Sequence, residues 1–181
     1  TTAQFAGLTT EDLNAFTTEQ IAKISANQIA ALTTAQMANL TTEDLAAITD
    51  RQIDAISTDA IAAMTTAQAS VLSAKQLKNM TEEQVQAMET ADIGALSTAA
   101  IAEMPEDLLT QLDTAQLAAF GSDQIQALTS RQVSGLTTDQ IAGMTTEDMN
   151  ALTTSQMAAL SSKQIAVLTT AQVAGLSTDA V

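Results

Sequence analysis

Large apolar residues recur at two fixed places in an eight-residue frame that does not slip from Thr1 to Val181. With Thr1 as position one, the frame gives 22 complete octads and a five-residue remainder, with the consensus T-T-x-Q-I-x-A-L. Position eight runs Leu8, Phe16, Ile24, Leu32 and onward to Leu176, and every member is large and apolar. Position five runs Phe5, Leu13, Ile21, Ile29 and onward to Val181, with Ala69 as its single small member. All eight Met and all three Phe fall in these two columns, so they read as core rather than as a ligand set.

The polar columns state how each octad folds. Position one is Thr or Ser in 19 of 23 cases, and position four is Gln or Asp in 19 of 23. A hydroxyl followed three residues later by Gln is the capping-box pattern: the hydroxyl accepts from a backbone N–H of the first turn, and the amide side chain reaches back to the cap. The apolar residues just before the cap and four places after it, such as Leu8 and Leu13 around Thr9, occupy the two places of a hydrophobic staple. Position seven is mostly Ala, with Gly7, Gly135, Gly143 and Gly175 and with Asn39 and Asn79. These are small residues, or residues that tolerate the left-handed region, and they predict a helix end crowded against its neighbour. Each octad therefore predicts a helix of about five to six residues, from position two to six or seven, and then a tight corner.

A single long helix does not fit this period. Eight residues at 100° each overshoot two turns by about 80°, so the apolar stripe would wind away from any partner. A β-solenoid stands as the alternative, although columns five and eight are an odd number apart and Ala, Gln, Leu and Met favour helix. The expected fold is all-α: a solenoid of 22 eight-residue repeats, each a short capped helix, coiled around a narrow Leu/Ile/Met core and forming one continuous array over residues 1–181. Two large side chains cannot offset the entropy of ordering eight residues, so stability must be collective. Neither end carries a polar capping repeat, since Thr1 opens an ordinary octad and Val181 stops at position five. The expectation is a segment of a longer chain, or chains whose ends meet head to tail.

Composition then narrows function. There is no His, Cys, Trp or Tyr, so the chain has no imidazole base, no thiolate and no Cys/His metal site. The expectation is no enzyme, no catalytic, cofactor-binding or metal-binding residues, and no cofactor. A formal charge of −15, with six Lys and Arg against 21 Asp and Glu, argues against nucleic acid and anionic membrane surfaces. No apolar run approaches the roughly 18 residues of a membrane span. Of the 21 acidic residues, 19 lie in positions one to four, where the positive end of a short helix favours them. Arg51, Lys75, Arg131 and Lys163 share position three, which reads as solvated surface.

The pattern weakens between Glu89 and Gly121. Glu89, Pro105, Asp113 and Gly121 replace the hydroxyl cap, and Glu103 and Gln111 replace the small residue at position seven. Glu103, Glu106, Asp107 and Asp113 have the oxygen chemistry for Ca²⁺, but repeat drift with dipole-favoured acids is the preferred reading. The pairs Glu11 with Asp12, Glu43 with Asp44 and Glu147 with Asp148 are read the same way, since no EF-hand spacing accompanies them. The sequons at Asn39 and Asn79 arise automatically, because an Asn at position seven precedes a position-one Thr by two residues.

The octads Leu32 to Asn39 and Leu168 to Gly175 resemble the LTTxQIxAL arrays of very large bacterial proteins described as surface, adhesion, haem-utilisation or flagellin-like. The likeness covers the whole chain and implies an extracellular or cell-surface bacterial repeat region, such as a fibre, stalk or sheath. The expected function is a stiff structural rod or self-assembling filament that associates with itself head to tail or laterally. The alternative is an adhesive solenoid engaging a carbohydrate, a protein partner or Ca²⁺.

Overall fold

The computed structural model describes residues 1–176, and position five of the last octad, Val181, lies outside them. The described residues form 21 short α-helices and one 3₁₀ helix, Ile53–Ala55, with no strand among them. This is the expected all-α solenoid, one short helix per octad. Helices run from four residues, as in Thr114–Leu117, to six, as in Thr138–Gly143.

Capping follows the predicted box. In the octad of Thr137, the Thr137 hydroxyl accepts from the Gln140 backbone N–H at 3.1 Å, and the Thr137 N–H donates to Gln140 Oε1 at 2.9 Å. Asp113 replaces the hydroxyl with a carboxylate that accepts from the Gln116 N–H at 2.7 Å. Gly121 retains half of the box, its N–H donating to Gln124 Oε1 at 2.8 Å. Pro105 occupies the cap itself, ahead of Glu106–Gln111.

The helix ends differ from expectation. No described residue, glycine included, has a positive φ. Many helices stop where position eight turns extended, as at Leu40 (φ −63°, ψ 136°) and Met144 (φ −61°, ψ 141°). A residue that leaves the helix through the extended region needs no left-handed step. Asn39 and Asn79 instead donate their side-chain amides back to the carbonyls of Ala35 and Lys75, four residues earlier. Crowding, the other half of the expectation, does hold at Gly143, where an added Cβ would stand 3.0 Å from the Thr114 side chain. Gly94, at position six, is tighter, with 2.8 Å to the Ala119 carbonyl oxygen.

Each helix packs on the third one along the chain. Thr10–Asn14 lies on Thr34–Asn39, Thr66–Ser70 on Thr90–Ala95, and Ser122–Ala127 on Thr146–Ala151. Side-chain hydrogen bonds reach the fourth octad back, so one superhelical turn takes between three and four octads. The core is a single continuous column of positions five and eight, from Phe5 and Leu13 to Leu152 and Leu160. Position five is covered by the turn that follows: it is buried through most of the array, but Ile165 and Val173, in the last turn, are 54% and 55% exposed. Position eight faces the other way, and Leu8, Phe16 and Ile24 in the first turn are only partly buried.

Candidate functional site

The repeated polar feature of the interior is the position-four glutamine. From Gln36 onward these side chains are buried, although amides are usually exposed. Burial without partners would cost several kcal/mol, so every polar atom must be satisfied. Gln132 illustrates the solution. Its Oε1 accepts from the Thr129 N–H at 2.7 Å, closing the capping box. Its Nε2 donates to the carbonyls of Ile101 at 2.9 Å and Met104 at 2.8 Å, in the octad four repeats earlier.

The same two-carbonyl bridge recurs at fixed separations of 31 and 28 residues. Gln84 bridges Ile53 and Ile56, Gln116 bridges Val85 and Met88, and Gln172 bridges Ile141 and Met144. One side chain therefore caps its own helix and ties two superhelical turns together. The sequence identified the first of these roles and missed the second. The constancy of Gln over Glu at position four was the available signal, because an amide, unlike an ionised carboxylate, accepts at one atom and donates at the other.

Six octads beyond the first turn lack the bridge, having Asp44, Ala60, Asp92, Ala100, Leu108 or Asp148 at position four. Three of these are consecutive, so the octads spanning residues 89–112 have no amide to offer the carbonyls of residues 57–80. Asp44 accepts from the Thr41 hydroxyl at 2.7 Å, and Asp148 accepts from the Thr145 N–H at 2.8 Å. Asp92 has no such arrangement: its cap is Glu89, and its Oδ2 is buried without a hydrogen-bond partner. Burial, together with the neighbouring Glu89 charge, holds the Asp92 carboxyl above the ordinary carboxylate range. At the surface the shift is opposite. Hydrogen bonds from the Thr9 hydroxyl and backbone N–H hold Asp12 below its usual value.

The acidic residues of the weakened stretch do not converge. Glu106 pairs with Arg131 across turns, Asp113 caps Gln116, and Asp107 accepts from the Leu108 N–H. Among the described residues no three carboxylates gather in one place. An open groove near them is lined by Ser97, Thr98, Gly121, Ser122 and Asp123, where Gly121 has no side chain to fill it. No helix among the described residues is long and apolar enough to cross a membrane.

Short capped helices, a two-column core and a buried amide tie between most turns define an octapeptide α-solenoid. The ALTTAQ repeat matches residues 5–42, 109–146 and 141–178, more than half of the chain, and the chain belongs to that repeat family. The unmatched interval contains Asp44, Ala60, Asp92, Ala100 and Leu108, the run in which the amide tie is most often missing. No curated protein matches the chain.

Proposed function

We propose that the chain is a structural rod: a stiff spacer or filament segment on the outside of a bacterial cell, with no catalytic role. The observation that carries this reading is the amide bridge, repeated from Gln36 to Gln172 at constant register. It resists sliding and unwinding between turns, and it adds length without changing cross-section as octads are added. The extracellular placement rests on the resemblance of the octads to bacterial surface arrays.

The partner in this reading is more of the same array, either further octads of the same chain or a second copy meeting it end to end. One end face carries Gln20 and Gln28, whose amides lie ahead of the first bridged turn, with Leu8, Phe16 and Ile24 half-buried beside them. The opposite face carries the exposed Ile165 and Val173. The two faces match in the way that successive turns of the array match. Electron microscopy of the purified chain over a range of concentrations tests this. Straight particles of uniform width that lengthen with concentration are expected; compact particles whose size is independent of concentration would overturn end-to-end assembly, and curved or variable-width particles would overturn the rod.

One observation favours a second reading, a binding array: the open groove at Gly121 is lined by the small or polar residues Ser97, Thr98, Ser122 and Asp123, residue types suited to a hydroxylated ligand such as a carbohydrate. A saturable rise in melting temperature with soluble glycans, lost in Gly121→Thr, is its test.

A further inference from the structure

The octad from Glu89 to Leu96 combines two exceptions that occur together nowhere else in the chain: an acidic cap at position one and an acidic residue at position four. Asp92 is 2% exposed, and its Oδ2 has no hydrogen-bond partner. Neighbouring octads define what that atom faces. Gln84 points at the carbonyls of Ile53 and Ile56, and Gln116 at those of Val85 and Met88. By the same register, Asp92 stands against the carbonyls of Ile61 and Met64. Those two oxygens lack the amide donor that serves their counterparts elsewhere. Asp cannot replace it, being one methylene shorter than Gln and, when ionised, without a donor.

We propose that this gap is a Ca²⁺ site, with the carboxylates of Asp92 and Glu89 and the backbone carbonyls of Ile61 and Met64 as its oxygen ligands. Adding one C–C bond, about 1.5 Å, to the 2.6 to 3.3 Å that separates bridging amides from their carbonyls elsewhere puts carboxylate and carbonyl oxygens about 4 to 5 Å apart. Ca²⁺ sits about 2.3–2.6 Å from each oxygen and spans a gap of that size; two carboxylates with neutral carbonyls are the hard, flexible donor set it takes. A cation there does the work of the missing amide: it neutralises the buried Asp92 charge and ties residues 89–96 to residues 57–64 across the turn. Asp44 and Asp148 occupy the same column without making such a site, because Thr41 and Thr145 donate to their carboxylates and neither has a second carboxylate at the cap.

The test is thermal unfolding and calorimetric titration of the chelator-stripped chain with CaCl₂ at constant ionic strength, alongside Asp92→Gln and Glu89→Thr. For the parent chain we expect saturable binding of one Ca²⁺ with a dissociation constant of about 0.1–1 mM, the range of extracellular modules, and a matching rise in melting temperature. Asp92→Gln should rebuild the amide bridge, raise the melting temperature of the metal-free protein and abolish the Ca²⁺ response. Glu89→Thr should restore a hydroxyl cap and weaken Ca²⁺ binding about tenfold or more, keeping the test open if the first variant folds poorly. A melting temperature indifferent to Ca²⁺ would overturn the proposal and leave a water in the gap. A response of equal size in both variants would overturn it too, assigning the binding to the acidic surface.

Discussion

Gln132 Nε2 lies 2.8 Å from the carbonyl oxygen of Met104, a residue 28 positions earlier, while the same side chain closes the cap at Thr129 through its Oε1. The two halves of the amide can be separated by mutation. Gln132→Ala removes the cap acceptor and both inter-turn bonds, leaving buried carbonyls behind, and should cost about 2 to 4 kcal/mol in denaturant unfolding. Gln132→Glu keeps an acceptor for the Thr129 N–H but turns a carboxylate toward two carbonyls. Burial should raise the pKa of that new carboxyl, so the variant should be destabilised at neutral pH and recover as pH falls through the raised value, where the protonated acid can donate. An unfolding midpoint for Gln132→Glu that tracks the parent at every pH would show that the inter-turn bonds contribute nothing.

The turn formed by residues 89–112 has no amide bridges to residues 57–80, and it should be the softest place inside the array. Hydrogen exchange is expected to be faster for backbone amides there than in the bridged octads from Thr129 to Met144. Ala100→Gln places an amide opposite the carbonyls of Ala69 and Leu72 and an acceptor beside the Ser97 N–H. It should stabilise the chain by about 1 kcal/mol. A uniform exchange profile across both regions would count against this assignment.

Glycines divide by what surrounds them. At Gly94 an added Cβ would stand 2.8 Å from the Ala119 carbonyl oxygen, a backbone atom, so Gly94→Ala should cost about 1 to 3 kcal/mol. At Gly121 the nearest atom to such a Cβ is 4.0 Å away, and the backbone, at φ −79° and ψ 165°, is already that of a cap. Gly121→Ser should therefore be stabilising by a few tenths to about 1 kcal/mol, through the regained hydroxyl and a stiffer unfolded chain. Melting curves showing the two variants shifted in the same direction would contradict this division.

Asp12 belongs to an exposed capping box, and its stability contribution follows from its lowered pKa. The Thr9 hydroxyl and N–H favour the ionised form, so the contribution is present above the unfolded-state value and is lost as pH falls through the lower folded one. A carboxyl titration followed by NMR should place Asp12 below an ordinary aspartate, and Thr9→Val should move it back up. An unchanged Asp12 titration in Thr9→Val would mean that the hydroxyl does not set it.

Much of this architecture can be read from single octads, because its determinants are local. Thr33 and Gln36 are three residues apart and make a box on their own, and Leu32 and Met37 belong to the two columns that become the core. What could not be read is what joins octads to one another. The partners of Gln36 are the carbonyls of Phe5 and Leu8, and backbone atoms leave no mark on sequence, so neither the bridge nor the number of octads per turn could be inferred. The left-handed helix end suggested by Gly143 and Asn39 failed for a related reason. Gly143 is small because Thr114, from a different turn, stands against it, and Asn39 bonds back to Ala35, while the corner itself is turned by the extended residue at position eight. At Asp92 the octad pattern marked a departure, but only the packed turns reveal an acidic oxygen without a partner.

The amide tie between turns is what holds the solenoid in register, and side-chain NMR of the glutamines reads it most directly. The Nε2 protons of Gln132 and Gln140 should show nuclear Overhauser contacts to residues 28 to 31 positions earlier, at Ile101 to Met104 and Leu109 to Leu112, and should exchange slowly with solvent. Those of Gln4 and Gln20, which lie ahead of the first bridged turn, should exchange fast. Contacts confined to each glutamine's own octad, with equal exchange across all four, would contradict the tied solenoid and the stiffness attributed to it.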